Sequence, residues 1–242
     1  MKKILLFIFC GFVICACSKH DPILPGIRHD IFDDVDVNVV NQDVPELSGG
    51  VKNIYGDENC EYRQDYTNTI WHNDTKVYVG FAPDSVVKSN QRPICVGQYI
   101  YTGLSTGEVI KINTGNNRIL WMADVFRANN LTGGAAVVDV VARVGIDGEY
   151  VYAGGLGDAF CKLRANTGDK VWCVNVSVPV DFIMVDDFVF VVGTDNYLYA
   201  INANNGNVYS KSKIEKQKNP IFYDEYIKVG KQKINYKNGE LL

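Results

Sequence analysis

From about residue 95 onward the sequence repeats itself, and this repetition restricts the fold more than any other feature of the chain. One copy runs Gly97-Gln98-Tyr99-Ile100-Tyr101-Thr102-Gly103, continues through Gly107-Glu108-Val109-Ile110-Lys111-Ile112-Asn113, and leaves through Ile119-Leu120-Trp121. A second runs Gly148-Glu149-Tyr150-Val151-Tyr152-Ala153-Gly154, then Phe160-Cys161-Lys162-Leu163, the turn Asn166-Thr167-Gly168, and Val171-Trp172. A third runs from Asp187 through Phe188-Val189-Phe190 to Tyr197-Leu198-Tyr199-Ala200-Ile201-Asn202, Asn205-Gly206 and Val208-Tyr209. Ser210 stands there where the first two copies carry Trp, so this copy should pack less aromatic surface. A fourth begins at Tyr226-Ile227-Lys228-Val229-Gly230, passes quickly to Ile234-Asn235 and Asn238-Gly239, and is cut short at Leu242. The step from strand aromatic to the next strand's aliphatic is the same in the three good copies: Tyr101 to Ile112, Tyr152 to Leu163, Phe190 to Ile201.

Asn117, Gly168, Gly206 and Gly239 share one turn position, at intervals of 51, 38 and 33 residues. Such a position calls for φ > 0, which Gly and Asn adopt at the least steric cost. Each copy therefore reads as three or four short antiparallel strands in period 2, and four strands in about 40 residues describe a propeller blade. One blade cannot bury both of its faces. Stacked blades cover Trp121, Trp172, Tyr101, Tyr152 and Phe190, each aromatic removing about 150–250 Å² from water. The expectation is an all-β chain, a short or incomplete β-propeller of about four to five blades over residues 61–242. A β-sandwich with coincidental turn spacing is the alternative. Composition is consistent with either: 14 Tyr and 11 Phe favour strands, and 47% hydrophobic with 21% charged residues excludes a disordered chain. With 24 basic against 28 acidic side chains, no nucleic-acid partner is expected.

The N-terminal residues read as an address. Lys2 and Lys3 precede an apolar run from Ile4 to Ala16, too short for the ~20 residues of a membrane-spanning helix and typical of a secretory signal. The run ends Ile14-Cys15-Ala16-Cys17, which resembles the bacterial lipobox, although the pattern prefers Ala or Ser where Cys15 stands. That resemblance implies cleavage after residue 16, lipidation of Cys17 and, because Ser18 rather than Asp follows, sorting to the outer membrane. A plain signal peptide or short anchor is the alternative. Loss of residues 1–16 takes two lysines and leaves 22 basic against 28 acidic groups, a formal charge of −6. Membrane attachment is then expected through the Cys17 lipid, each buried methylene contributing about 0.8 kcal/mol. Residues 17–60 read as an acidic flexible tether, with Pro22, Pro25, Pro45, Gly49-Gly50 and seven carboxylates between Asp21 and Glu46. Asp34-Val35-Asp36-Val37-Asn38 resembles the start of a calcium loop, but Val39 and Pro45 occupy the turn-glycine and last-ligand positions.

Cys60, Cys95, Cys161 and Cys173 remain after the signal segment, in an oxidising compartment where three pairings are open. Cys161 and Cys173 face each other across a hairpin if its loop is Asn166-Thr167-Gly168, and are a disulfide candidate; two buried, inert thiols are the alternative. No Cys-x-x-Cys spacing occurs and His72 is the only His of the folded body, so neither a metal site nor a catalytic residue is expected.

The motif Gly-x-[Val/Ile]-x-Ala/Lys-[Leu/Ile]-Asn-x-x-x-Gly-x-x-x-Trp resembles the repeat of quinoprotein-dehydrogenase-like propellers. With the lipobox and Leu24-Pro25-Gly26-Ile27-Arg28 in an acidic tether, the chain resembles the BamB family of outer-membrane lipoproteins, loosely over 1–32 and more closely over 91–242. That resemblance implies a periplasmic scaffold at the outer membrane, with barrel-assembly proteins as partners and no cofactor. Dehydrogenase propellers hold pyrroloquinoline quinone against a vicinal disulfide, and no Cys-Cys pair exists here. A quinoprotein-type enzyme or small-ligand binder, or a degenerate remnant of a longer propeller, is the alternative. The family builds eight blades, more than this length holds. Thr69-Ile70-Trp71 reads as a Trp strand without the upstream part of its repeat, so residues 67–71 are expected to complete the blade ending at Leu242. The connector from Phe126 to Val140 is a candidate partner loop, with a plain connector as the alternative.

Overall fold

The computed structural model describes residues 37–57, 59–81, 92–126 and 137–242. The signal segment 1–16, Cys17, the tether to residue 36 and connector residues 127–136 lie outside them. The described chain forms five antiparallel sheets, each built from strands consecutive in sequence. The first contains β1 (Tyr62–Gln64), β2 (Ile70–His72) and β3 (Thr75–Tyr78). The second contains β4 (Ile94–Val96), β5 (Tyr99–Gly103), β6 (Glu108–Asn113) and β7 (Arg118–Asp124). The third contains β8 (Gly145–Asp147), β9 (Tyr150–Gly154), β10 (Phe160–Arg164) and β11 (Lys170–Val174). The fourth contains β12 (Ile183–Val185), β13 (Phe188–Val192), β14 (Tyr197–Asn202) and β15 (Val208–Lys213). The fifth contains β16 (Pro220–Tyr223), β17 (Tyr226–Val229) and β18 (Gln232–Asn235). These are five propeller blades.

Successive blades share their cores, because each sheet presents apolar residues on both faces. Ile70 of the first blade packs with Ile100, Ile110 and Ile112 of the second. Val109 and Trp121 of the second pack with Val151 and Leu163 of the third, and Tyr152 and Phe160 of the third with Val189 and Ile201 of the fourth. Phe190 and Leu198 of the fourth pack with Ile227 and Ile234 of the fifth.

Two expectations are corrected. Ile70-Trp71-His72 is the central strand of its own sheet, Trp71 facing Arg63 on one side and Lys76 on the other, and does not complete the fifth blade. Its turns explain why. Asp65 N donates to Thr69 O and Asn68 N to Asp65 O, with Asn68 at φ 60, as Leu104 N does to Glu108 O and Gly107 N to Leu104 O in the second blade. The register between β2 and β3 shifts once, after Ile70, as it does between the third and fourth strands of the next three blades. β1, β2 and β3 thus correspond to the last three strands of a blade, and Tyr78, opposite Ile70, holds the place that Trp121 holds opposite Lys111; Trp71 does not. In the fifth blade Leu241 bridges back to Ile234.

The second correction concerns the tether. Residues 37–57 lie against the blades as a strap, with Val44, Leu47 and Ile54 at 1%, 7% and 1% exposure. Val39 forms a bridge to Val208 and the Val44 amide donates to Lys237 O at 2.8 Å. Further along, Lys52 N donates to Met184 O at 2.8 Å, Ile54 O accepts from Ile146 N, and Asp57 bridges Cys95. The strap therefore visits the fourth and fifth blades first, then the third, then the second. Tyr55 fixes its middle: the hydroxyl donates to Phe182 O, and Arg143, paired with Asp181 at 2.7 Å, lies 4.0 Å from its ring. Alternating Val with Asp and Pro reads locally as solvated chain, whereas the surfaces that bury it come from far along the sequence.

Candidate interaction surface

In three blades an aromatic residue, its cross-strand neighbour and the next strand's partner form one row. The rows are Tyr101–Lys111–Trp121, Tyr152–Lys162–Trp172 and Phe190–Ala200–Ser210. In the first two rows the polar ends converge on a turn carbonyl of the following blade. Lys111 Nζ and Trp121 Nε1 donate to Ala165 O at 2.8 and 3.0 Å, and Lys162 Nζ and Trp172 Nε1 to Ala203 O at 2.8 and 3.1 Å. Lys111 also lies 4.0 Å from the Tyr99 ring and Lys162 3.8 Å from that of Tyr150. Burial holds both ammonium groups below the ordinary lysine value and pushes the Tyr101 phenol up to about 12. The indole rings lie over the turn glycines: a Cβ on Gly168 would fall 2.8 Å from Trp121, and one on Gly206 2.8 Å from Trp172. Positive φ and contact with an indole thus select the same residue twice over. Tyr101, Tyr152 and Phe190 are buried, at 4%, 1% and 1% exposure. The lysines were visible only as a variable Ala/Lys position of the repeat, and their role emerges from the pairing register.

Cys161 and Cys173 are directly opposed across β10 and β11 and joined by a disulfide, and a second joins Cys60 to Cys95. His72 stacks on Tyr62 with ring centroids 4.5 Å apart and approaches Glu61 at 3.5 Å. Among the described residues no group of three His, Cys, Asp or Glu side chains is placed to hold a metal ion.

A polar cluster positions the first blade. Burial of Asp65 would raise its pKa, but donors from the Thr67 hydroxyl, Trp71 Nε1 and the Thr69 and Thr67 amides outweigh that and hold the carboxyl below its ordinary 3.8. Asp65→Asn is expected to cost about 1 kcal/mol near neutral pH. With a depressed folded value, this contribution is complete above pH 3.8 and drains as pH falls through the folded-state pKa. Urea midpoints of both proteins from neutral to strongly acidic pH check it: their separation should shrink in acid, and a constant separation would contradict the assignment.

The outer strands differ in what they offer a partner. β15 ends the fourth sheet with Ser210, Lys211, Ser212 and Lys213, and its first residue Val208 bridges the strap. β11 exposes Val171 alone among its large apolar residues. β7 is the longest strand, 7 residues, lies at the edge of its sheet, and exposes Ile119, Leu120 and Met122 at 42%, 48% and 46%. Met122 and Ile119 sit opposite Ile110 and Ile112. They belong to the face toward the first blade, whose β3 is itself an edge strand. The inner part of this face is covered and the outer part is not.

Comparison with known proteins agrees with this architecture. The family model for outer membrane protein assembly factor BamB matches residues 34–212. Outer membrane protein assembly factor BamB of Legionella pneumophila (strain Paris) is 20% identical over 127 residues, 52% of this chain and 33% of that protein. The crystal structure of BamB from Moraxella catarrhalis superposes with a TM-score of 0.64 at 19% identity, covering 73% of this chain and 57% of that one. Quinohemoprotein alcohol dehydrogenase ADHIIG of Pseudomonas putida HK5 shares the fold at TM-score 0.55 and 11% identity, over 75% of this chain and 39% of that one. The chain thus spans about a third of the length of the curated relative and little more than half of the first structure. Five meander sheets, three of them carrying one repeated row, matched over most of their length by a single family, place this chain in the BamB family of β-propellers.

Proposed function

We propose that the protein is a non-enzymatic scaffold in outer-membrane β-barrel assembly. In this reading a lipid on Cys17 holds it at the periplasmic face of that membrane, and a blade edge binds its partner proteins. The observation that carries the reading is β7, a long edge strand that no strand among the described residues pairs on its outer side, with Ile119, Leu120 and Met122 exposed. An edge strand offers unpaired N–H and C=O groups to any extended chain, and backbone pairing tolerates many sequences. Such an edge suits β-rich partners whose strands differ in sequence but share alternating apolar residues. Family membership supports the assembly role. The mature charge of −6 disfavours nonspecific adhesion to anionic lipid and leaves attachment to the acyl chains.

Affinity capture of the membrane-anchored full chain tests this, comparing wild type with the double variant Leu120→Lys, Met122→Lys. Both side chains are exposed, so the fold should survive. Wild type is expected to recover barrel-assembly proteins and the variant at least tenfold less, a loss of about 1.4 kcal/mol or more. Equal recovery would exclude this edge, and recovery of no assembly protein by wild type would exclude the role.

A further inference from the structure

The second, third and fifth blades share a lysine position, but only the second and third have a further blade to cover it among the described residues. Lys228 stands opposite Lys233 as Tyr101 stands opposite Lys111 and Tyr152 opposite Lys162, so Lys233 holds the place of the two buried lysines. It lies 4.7 Å from the Tyr226 ring, as Lys111 and Lys162 lie 4.0 and 3.8 Å from Tyr99 and Tyr150. The face that the next blade covers elsewhere is therefore repeated in the fifth blade and left bare. Ile94, opposite Tyr101, is 3% exposed, whereas Ile221, opposite Lys228, is 52% exposed and Lys233 is exposed with it.

Strand pairing lays this face out in two rows. One is Ile221–Lys228–Lys233. The other, two residues or about 7 Å along the strands, is Tyr223–Tyr226–Asn235, its two tyrosine rings stacked with centroids 4.8 Å apart. Beyond the tyrosines the hairpin turns through exposed Asp224 and Glu225, and beyond the lysines it turns through exposed Lys231. The face is thus acidic at one end, basic at the other and aromatic between. Among the described residues no carboxylate pairs with Lys228 or Lys233, and no cation with Asp224 or Glu225. Lys237, which lies toward the acidic end, is taken up by Glu46 at 3.9 Å.

We propose that this face pairs with the same face of a second copy of the chain, across a two-fold axis through the Tyr223–Tyr226 row. The axis reverses the strands, so Lys228 and Lys233 meet the partner's Asp224 and Glu225, and the charge contacts form twice. The stacked tyrosines and Ile221 are then enclosed between two sheets about 10 Å apart. A head-to-tail contact with the first blade is disfavoured. The face which that blade turns away from the second carries Arg63 and Lys76 around Trp71, and would set cations against cations. One three-stranded face is smaller than the roughly 800 Å² per partner of a standard interface, so the dimer dissociates at roughly 10–100 μM. It does not depend on the barrel-assembly reading and does not involve β7.

Sedimentation equilibrium of the full chain in density-matched detergent micelles tests the contact. Wild type is expected to pass from monomer to dimer with rising concentration. Lys228→Glu, Lys233→Glu makes the face acidic throughout, Asp224→Lys, Glu225→Lys makes it basic throughout, and each double variant alone should dimerise at least tenfold more weakly. Mixed in equal amounts, the two should associate within threefold of wild type, because opposite charges again meet on both sides of the axis. Wild type that stays monomeric tenfold above the stated range overturns the proposal, as does a dimer that survives both reversals or a mixture that does not associate. If Lys228→Glu, Lys233→Glu fails to fold, the exposed turn variant decides: a tenfold loss supports the contact, and unchanged dimerisation overturns it.

Discussion

Trp121→Ala is expected to destabilise the propeller by about 3–5 kcal/mol, at the upper end of single substitutions. The side chain is 8% exposed and fills the boundary between the second and third blades, with its ring 6.0 Å from that of Tyr101 and directly over Gly168. Truncation leaves a space that the positive-φ turn at Gly168 cannot close by moving inward, since Arg164 O and Gly168 N already fix that turn at 2.8 Å. It also strips one of two donors from Ala165 O and leaves Lys111 as the other, in a site opened to water. Urea unfolding followed by circular dichroism measures the loss. A decrease below about 1 kcal/mol, the range of ordinary surface substitutions, would mean that the blades do not rely on the indole.

Replacing both members of the Cys60–Cys95 disulfide by Ser is expected to cost about 4 kcal/mol, because the bond closes a loop of sequence separation 35. The Cys161–Cys173 bond spans 12 and joins strands already paired on both sides of it, so its loss should cost less, about 3 kcal/mol. The order of the two matters more than either value. Cys60 follows the strap's bridge from Asp57 to Cys95, so this crosslink ties the strap and the first blade to the second. In a domain of this size about 4 kcal/mol corresponds to a fall in Tm of roughly 8–16 °C. Thermal unfolding of the Cys60→Ser, Cys95→Ser and Cys161→Ser, Cys173→Ser double variants reads it. A smaller shift for the first pair than for the second would contradict the assigned roles.

The repeating blades were legible in the sequence because their signals are local. Tyr99-Ile100-Tyr101 and its counterparts alternate in period 2, and the position shared by Asn117, Gly168, Gly206 and Gly239 has φ of 54, 78, 76 and 77. What escaped the sequence depends on residues brought together from a distance. Trp71 misled because its type matched Trp121, whereas Tyr78 holds that place, and the smaller clue was Asn68, which stands in its turn as Gly107 and Asn196 do in theirs. Residues 37–57 escaped because the groups that bury Val44, Leu47 and Ile54 lie on the third, fourth and fifth blades. The substitution at Ser210 was legible, but not the response to it. Tyr236 is buried without taking over the indole's contact, and the carbonyl that two other boundaries use twice is left without a donor among the described residues.

The course of the strap has a kinetic consequence. Leu47 N meets the Tyr236 hydroxyl across a sequence separation of 189, and Val44 N meets Lys237 O. A segment synthesised early thus finds its binding surface only when the last blade has emerged from the ribosome or the export channel. Such long-range closure slows folding, because the entropy of the intervening loop is lost before any contact repays it. The second to fourth blades can form hairpin by hairpin as they appear, but this ribbon must wait. Its apolar residues stay uncovered in the meantime, an interval in which a holding chaperone would have something to grip.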